Sequence, residues 1–347
     1  WRREPNNPLQ ATLEPGQSSL NPYVRIDAQG ITLITPRADK GQGAASVQAA
    51  LLAEELDLAW GAFAIEPGPP SAAYYNGKVL AEGFPIAAVS DTFLASAGRG
   101  AGQALGKLMG LQITGGSTTV ADGFDRLRVA GAVARQMLLA AASMRSGVPT
   151  SQLSTRDGKV ILPDGRALPY TALAADATQL RPPAEVVLKP PAQWRLLGKP
   201  MRRLDIVAKS TGTARYGIDL RLPGMLHATV RANPRLGGGL RWIDDTAALQ
   251  ERGVVRVVSM PDGYGVIADN TWRAFQAAEL VRAEGGEAPY PANTEGLFGE
   301  IAGAFTPAAR DSRLKDEGDV PSVLAPRGPG FWQADYRVPY LAHAPLE

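Results

Sequence analysis

The chain contains no cysteine and only two histidines, His227 and His343, among its 347 residues. The absence of cysteine excludes disulfide bonds, thiolate metal ligands, a cysteine nucleophile and any iron–sulfur cluster held by this chain. Two histidines are too few for a histidine-rich metal centre. A metal would therefore have to arrive inside an organic cofactor or be held by carboxylates, and we single out no metal-ligating residue.

A strong charge of one sign and a long apolar run are also missing. The 36 basic and 34 acidic residues leave a formal net charge of +2, which provides no electrostatic reason to expect nucleic acid or an anionic membrane as a partner. No apolar stretch reaches the roughly 18 residues of a transmembrane segment. Residues 1–5 include two arginines but no apolar segment follows them, so we do not interpret them as an export signal.

The composition is that of a globular protein, with 45% hydrophobic and 20% charged residues. A length of 347 residues predicts two or three domains. The 38 glycines and 28 prolines predict many turns and long ordered connections. Because the chain does not begin with Met and stops at Glu347, we expect it to be a piece of a longer polypeptide.

A glycine-rich segment, residues 39–43, joins a predicted strand pair over 23–35 to a predicted helix over 44–56. Glycine lets a backbone approach a ligand closely, and the free N–H groups at the start of a helix attract an anion. The Gln42 amide can donate and accept hydrogen bonds at once. These properties suit a phosphate-bearing cofactor, and an ordinary tight turn is the alternative interpretation.

A second glycine-rich loop, residues 112–119, precedes a strong helix predicted over 124–145. Two glycines and several hydroxyl side chains ahead of a helix form a candidate anion cradle, in which successive backbone N–H groups surround the anion. A loop that merely caps the helix is the alternative. Two such loops in one domain, each followed by a helix, favour a shared phosphate-bearing ligand.

Both predicted helices have one packing face. The first helix places its apolar side chains together: Val47, Leu51, Leu52 and Leu56. We expect its acidic pair, Glu54 and Glu55, to face away from that surface. In the second helix, alanine and glycine on one face predict close packing against a neighbouring element.

The rest of the chain predicts short elements. Asp157-Gly158 and Asp164-Gly165 predict hairpin turns over 153–170, and the proline-rich residues 182–191 predict an extended linker. Beyond it we predict strands over 213–219, 224–231, 254–258, 264–267 and 331–338, and helices over 246–250 and 271–283. His227 lies on a predicted strand and is expected to be a packed core residue, whereas His343 lies in a predicted loop.

Several short stretches occur in a fixed order over almost the whole chain: residues 21–27, 41–43, 53–56, 114–118, 127–132, 197–200, 203–205, 216–219, 222–225 and 340–344. Together they resemble the molybdopterin-binding large subunit of the xanthine oxidase family. Within that family they resemble the branch of the isoquinoline 1-oxidoreductase beta subunit and related bacterial aldehyde dehydrogenases.

The resemblance implies an α+β fold, in which part of a molybdopterin-binding domain is followed by a small α/β hammerhead domain. The boundaries that we predict are an extended arm over 1–20, the molybdopterin-binding part over 21–181, a linker over 182–199, the hammerhead domain over 200–285, and a loop-rich connection into the next molybdopterin-binding section over 286–347.

The resemblance also implies the function and the site. The family oxidises an aldehyde or an N-heteroaromatic substrate with water as the oxygen donor, which would make this chain a large-subunit fragment of a molybdenum hydroxylase. The cofactor would be molybdopterin in its cytosine dinucleotide form, carrying molybdenum. The residues that would bind it are Gly41, Gln42, Gly43, Gly115, Gly116, Ser117 and Thr118.

The implied partners are separate chains. Electrons would leave through a small subunit that carries [2Fe–2S] clusters, which agrees with the absence of cysteine here. A cytochrome c subunit is a further candidate partner. The resemblance points to a bacterial protein and leaves the periplasm and the cytoplasm both open as its compartment.

The chain departs from the family pattern at two places. Family members have an acidic residue and Met before the Gly-Gln-Gly segment, whereas Asp39 and Lys40 stand there in this chain. The catalytic base of the family is a glutamate in a Gly-x-Gly-Glu motif near the C terminus, and no such motif occurs here; Glu347 matches another family position. We therefore name no catalytic residue and expect roughly the N-terminal half of a catalytic subunit, inactive alone.

Two other functions remain open. An NAD(P)- or FAD-dependent oxidoreductase could use Gly41-Gln42-Gly43, because residues 41–46 follow the pattern GxGxxS and Glu66 ends the next strand where an acid would hold a ribose. Four residues separate the apolar strand from Gly41, and a hairpin partner precedes that strand, both unlike a dinucleotide-binding unit. The other candidate is a non-catalytic half-subunit that needs a partner chain to complete the cofactor pocket.

Overall fold

The computed structural model describes residues 5–82, 92–311, 317–324 and 330–341. The chain divides into two compact units, Trp1–Ala214 and Arg215–Glu347. Their mixed helix and sheet content confirms the predicted α+β class at this level. The first unit continues past the linker predicted over 182–199. Within the described ranges, every helix is too short or too polar to cross a membrane.

The first unit contains two sheets and six helices among its described residues. Its elements are β1 Ser18–Asn21, β2 Val24–Asp27, β3 Gly30–Ile34, α1 Ala44–Glu55, β4 Ala64–Glu66, α2 Gly77–Glu82, α3 Phe93–Met109, α4 Thr118–Ser146, β5 Ser154–Arg156, β6 Lys159–Ile161, β7 Ala167–Pro169, α5 Tyr170–Thr178 and α6 Ile206–Ser210. β1 to β4 form one sheet in that order, and β5 to β7 form the other. β3 pairs antiparallel with β2 and parallel with β4, so a hairpin and a strand–helix–strand crossover share one sheet.

Helices α1 and α4 pack against each other in the core of the first unit. A Cβ atom added at Gly131 would lie 2.6 Å from the carbonyl oxygen of Leu52, so glycine is required for this approach. Several alanines of the two helices are buried in this core: Ala49, Ala53, Ala130, Ala134 and Ala141. The close packing predicted from the small residues of α4 is confirmed.

The acidic pair Glu54 and Glu55 is fully buried, so the prediction that it faces away was wrong. Oε2 of Glu54 accepts the backbone N–H groups of residues 195–197 at 2.9, 2.7 and 3.1 Å. Oε1 of Glu55 accepts two hydrogen bonds from the Arg128 guanidinium, at 2.8 and 3.0 Å. The pair is buried because residues 189–197 cross α1, and their backbone donors need acceptors.

Three further segments of the first unit differ from the prediction. The second helix starts at Thr118 rather than at residue 124, directly after the glycine-rich loop. The strand predicted to end at Glu66 is short and spans only Ala64–Glu66. Residues 1–20, expected as an extended arm, contain a 3-10 helix over Pro8–Ala11 and strand β1, because Leu9 and Leu20 are buried in the core.

The second unit has short strands and small helices. Its elements are β8 His227–Ala232, β9 Leu240–Asp244, α7 Thr246–Leu249, β10 Val254–Met260, β11 Gly263–Ala268, α8 Thr271–Leu280, β12 Arg282–Gly285, α9 Thr294–Gly303 and α10 Val320–Leu324. β10, β11 and β8 form an antiparallel sheet in that order, and β9 pairs with β12. A small core holds them together: Ala248, Val266, Ala277, Ala278 and Val281.

The strands predicted over 213–219 and 331–338 are absent from the described residues. Residues 213–219 contain only a 3-10 helix over Gly217–Asp219 and pair with no described strand. Described residues 331–338 form no strand either. His227 is half-buried on β8, with Nδ1 3.0 Å from Oγ1 of Thr271, as expected for a packed residue. His343 lies outside the described residues.

Candidate functional site

Both glycine-rich loops line a single cavity of about 480 Å³ in the first unit. The cavity lies between the starts of α1 and α4, and its lining comes from the two loops and the first turns of these helices: Lys40, Gln42, Gly43, Ala44, Val47, Thr114, Gly115, Ser117, Thr119 and Val120. The structure therefore brings the two predicted loops together. That either loop binds a ligand remains a prediction.

The predicted residues take different places around this cavity. Gln42, Gly43, Gly115 and Ser117 line it, whereas Gly41, Gly116 and Thr118 are not among its lining residues. The Thr118 side chain is buried; its hydroxyl donates to the Gly115 carbonyl at 2.7 Å and accepts from Nδ2 of Asn76 at 2.7 Å. Thr118 thus holds the loop in shape.

The start of α1 is capped by a carboxylate from its own loop. Gly41 and Gly43 have φ angles of +102° and +87°, in the region that favours glycine. This bend brings the Asp39 carboxylate over the helix start, where it accepts the N–H groups of Gly41 at 2.8 Å, Gly43 at 3.4 Å and Ala45 at 3.0 Å. An external phosphate at the start of α1 would have to compete with this carboxylate.

The hydrogen bonds determine the charge state of Asp39. Burial by itself would raise the pKa of this carboxyl, but the N–H donors of Gly41, Ala45 and Gly43, together with the Arg203 charge, lower it below its ordinary value. Asp39 is therefore ionised at neutral pH. The anion predicted at this helix start is therefore the Asp39 carboxylate of the chain itself. Asp39 lies four residues ahead of the N-cap, Gly43, and this position in the sequence did not reveal its role.

The Gln42 amide is partly used within its own loop. Its Oε1 accepts the Lys40 N–H at 2.5 Å, and its Nε2 donates to the Ala38 carbonyl at 2.9 Å. Because a glutamine amide has two N–H groups and two lone pairs, one donor and one acceptor remain for a ligand. Gln42 is exposed and lines the cavity, so these remaining groups can be reached.

The start of α4 differs because none of the described side chains caps it. Gly116 and Ser117 are consecutive residues with positive φ, +59° and +54°, and Ser117 makes no side-chain capping hydrogen bond to the helix. The dipole of the 29-residue helix adds positive potential at this start. A Cβ at Gly115 would meet no atom within 4 Å, so there is space beside the loop.

A buried polar network fixes the second loop. Asn76 is fully buried, and its Nδ2 also donates to the Ile113 carbonyl at 3.0 Å. On α4, Asp122 accepts from the buried Arg37 guanidinium at 2.8 Å and from the Gly77 N–H at 2.9 Å. The sequence did not reveal this network, because single polar residues in predicted loops give no periodic signal. Its effect is to hold the uncapped helix start in place.

Two other groups bear on the ligand. Lys40 is exposed at the cavity, and no carboxylate of the described residues lies within ion-pair distance of it. Glu66, the acid expected to hold a ribose in a dinucleotide-binding protein, pairs with Nη2 of Arg25 at 2.6 Å instead. Within the described ranges, no group of three or more His, Asp or Glu residues is placed to hold a metal ion.

The sequence has curated relatives. It is 32% identical over 300 residues to the isoquinoline 1-oxidoreductase beta subunit of Brevundimonas diminuta, over 76% of this chain and 35% of that protein. It is 32% identical over 230 residues to the B subunit of nicotinate dehydrogenase of Pseudomonas putida, over 63% of this chain and 19% of that protein. A membrane-bound aldehyde dehydrogenase (pyrroloquinoline-quinone) of Gluconacetobacter polyoxogenes is 31% identical over 189 residues, which are 50% of this chain and 24% of that protein.

The chain thus spans about a third or less of the length of these relatives. No protein-family profile matches it. Among solved structures, quinoline 2-oxidoreductase from Pseudomonas putida 86 superposes on 27% of this chain and 16% of its own, with 22% identity and a TM-score of 0.23, which is too partial to bear on the fold. The relatives confirm the resemblance that the short sequence stretches predicted.

Proposed function

We propose that this chain, a relative of the isoquinoline 1-oxidoreductase beta subunit, is the N-terminal part of the large subunit of a molybdenum hydroxylase. The whole protein would oxidise an aldehyde or an N-heteroaromatic compound with water as the oxygen donor. The observation that carries the proposal is the cavity that both glycine-rich loops line, since the resemblance assigns these two loops to one cofactor. The names of the three relatives, two heteroaromatic and one aldehyde, support the substrate class.

The two helix starts suggest how molybdopterin would lie in the cavity. Its phosphates would meet the start of α4, where the loop from Gly115 to Ser117 has no side-chain cap and has space beside it. Gln42 and Gly43 would contact the pterin, which is rich in donors and acceptors, through the amide groups that Gln42 has left. Lys40 would add a positive charge. In this arrangement Gly41, Gly116 and Thr118 shape the loops.

The bound cofactor would supply the redox chemistry, and the residues of this chain would bind and orient it. Asp39 occupies the N–H groups at the start of α1, whereas those at the start of α4 would be available to an anion. The phosphates would therefore bind at α4, and the pterin would lie beside the loop that precedes α1. We assign no catalytic residue in this chain. Electrons would pass to a separate [2Fe–2S] subunit, and we propose a cytochrome c subunit as a further partner.

The domain boundaries belong to the same proposal. Residues 21–181 would be part of the molybdopterin-binding domain, and residues 200–285 would be the hammerhead domain. The antiparallel sheet of β8, β10 and β11 with α8 supports a separate small α/β unit in that region. Residues 202–204, however, hydrogen-bond to residues 41–60 and lie within the first unit, which supports placing the start of the second domain later.

The NAD(P) or FAD alternative has one supporting observation, the parallel crossover from β3 through α1 to β4. Two observations oppose it. The N–H groups at the start of α1 that would bind a pyrophosphate are bound to Asp39, and Glu66 is paired with Arg25. We therefore favour the molybdopterin proposal.

Cofactor analysis of the full-length protein tests the proposal. We expect molybdenum, by elemental analysis, in roughly equimolar amount to the protein, and a pterin cytosine dinucleotide by mass spectrometry of the released cofactor. Absence of molybdenum from a fully matured preparation would overturn it. Release of NAD(P), FAD or a quinone would show which cofactor replaces it.

A further inference from the structure

Arg203 reaches the first glycine-rich loop from a distant part of the chain. Its Nη1 donates to the Gly41 carbonyl at 2.6 Å, and its Nη2 lies 3.6 Å from Oδ1 of Asp39. A Cβ added at Gly43 would lie 4.0 Å from its Nε. The guanidinium therefore lies along the loop and contacts both the loop backbone and the carboxylate that caps α1.

The orientation of this guanidinium is fixed by Asp205. The two oxygens of Asp205 accept hydrogen bonds from Nε at 3.1 Å and from Nη2 at 2.7 Å of Arg203. Such a two-point pair holds the planar guanidinium in one orientation, which aims its third donor at the loop. Lys209 pairs with the same carboxylate at 2.7 Å, and the hydrogen bonds from Lys209 and Arg203 lower the pKa of Asp205 to about 2.

The backbone on either side of Arg203 is also hydrogen-bonded to earlier residues of the first unit. The Arg202 carbonyl accepts Nε1–H of Trp60 at 2.9 Å, and the Leu204 N–H donates to Oγ of Ser46, on α1, at 3.0 Å. Three successive residues thus hold this segment against α1 and its loop. These hydrogen bonds hold the backbone on both sides of Arg203 in place, and with it the start of the Arg203 side chain.

The loop itself has little packing to stabilise it. Lys40, Gly41 and Gln42 are exposed, and two of the loop residues have positive φ. Segments with few buried apolar contacts depend on hydrogen bonds for their conformation and open easily when these are lost. The bond from Arg203 to Gly41 and its ion pair with Asp39 link this loop to the distant segment.

We propose that Arg203, oriented by Asp205, is a positioning residue that holds the Gly41–Gly43 loop in the conformation that presents Gln42 to the cavity. The identity of the ligand as molybdopterin rests on the proposed function, whereas the ordering of the loop does not. Loss of Arg203 would release the loop, weaken the Asp39 cap and lower retention of the cofactor.

The test compares Arg203→Leu with Arg202→Leu in the full-length protein. Arg202 is exposed, and the hydrogen bond that it makes to the described residues uses its backbone carbonyl, so its substitution removes the same charge one position earlier. Hydrogen exchange of the peptide over residues 39–46, in protein freed of cofactor, should accelerate about tenfold in Arg203→Leu and stay unchanged in Arg202→Leu. Arg203→Lys should restore part of the protection, because one ammonium cannot bind Gly41 and both oxygens of Asp205 together.

Cofactor content provides the second measurement. Arg203→Leu should retain several-fold less pterin than Arg202→Leu at the same unfolding midpoint. Unchanged exchange over residues 39–46 in Arg203→Leu would overturn the inference; if that variant does not fold, unchanged exchange in Asp205→Asn would do so. A wild-type protein without molybdenum would overturn the proposed function, while accelerated exchange in Arg203→Leu would still support the positioning role.

Discussion

The starts of α1 and α4 line the same cavity, but they are capped in different ways. At α1, the Asp39 carboxylate binds three backbone N–H groups. At α4, Ser117 adopts a left-handed conformation and provides no side-chain cap. A glycine-rich loop before a helix therefore indicates a site for an anion, but the anion can be part of the chain. Of these two helix starts, the α4 start is the one that no described side chain caps.

The largest expected effect comes from separating the two helices that carry the loops. In Gly131→Ala, the new Cβ would lie 2.6 Å from the backbone carbonyl of Leu52, so α1 and α4 must move apart. We expect a loss of about 2 kcal/mol in the free energy of unfolding, measured by denaturant titration. Gly100→Ala on α3 is the control, since its Cβ meets no atom within 4 Å, and it should be neutral or stabilising. Equal effects of the two variants would contradict the close packing.

The second-largest effect is expected from a substitution that gives the start of α4 a carboxylate, as the start of α1 already has. Ser117→Asp gives α4 a carboxylate at its N-cap, where an exposed Asp tolerates the positive φ. If the cofactor phosphates bind there, like-charge repulsion should reduce retained pterin about tenfold. Ser117→Asn, which has the same shape without the charge, should retain the cofactor. Equal retention in the two variants would show that the α4 start does not bind the anion.

The smallest effect is expected when the Asp39 cap is removed from α1. Asp39→Ala should lower the free energy of unfolding by about 1 kcal/mol at neutral pH, since three N–H groups lose their acceptor. The folded pKa of Asp39 is lower than its ordinary value of 3.8, so its ionised form stabilises the fold above that value. This stabilisation should decline as the pH falls through the lowered pKa.

Unfolding titrations of wild type and Asp39→Ala between neutral and acidic pH measure this change. Asp39→Asn keeps an acceptor without the charge and should lie between the two proteins at neutral pH. A difference between wild type and Asp39→Ala that grows as the pH falls would contradict the capping role.

The parts of the fold that the sequence predicted depend on local patterns. Alternating apolar residues and a turn at Gly30 marked β2 and β3, and the Asp-Gly turns marked the hairpins of β5 to β7. Both glycine-rich loops were found for the same reason, because glycine next to a helix is visible in sequence. The structure brings the two loops to one cavity, and a common ligand for them stays a prediction.

The failures depend on distant residues. Glu54 was expected to face away, but its acceptors bind donors 141 to 143 residues further along the chain. The strand expected over 213–219 had a suitable pattern, yet no described strand lies beside it. In sequence, Asp39 is only the first residue of a candidate ligand loop, and the bend at Gly41 and Gly43 is what makes it the cap of α1. Hydrogen bonds between residues so far apart along the chain leave no periodic pattern in the sequence.

The burial of Glu54 and Glu55 has a consequence for biosynthesis. While the ribosome has released only residues up to about 180, Glu55 can already pair with Arg128, but Glu54 lacks the N–H donors of residues 195–197 and the nearby Lys189 ammonium. Closing the core around the unpaired Glu54 carboxylate would be unfavourable, so we expect the first unit to complete its folding only after this late segment emerges. Until then the nascent chain has an exposed, incomplete α1 surface for chaperones to protect.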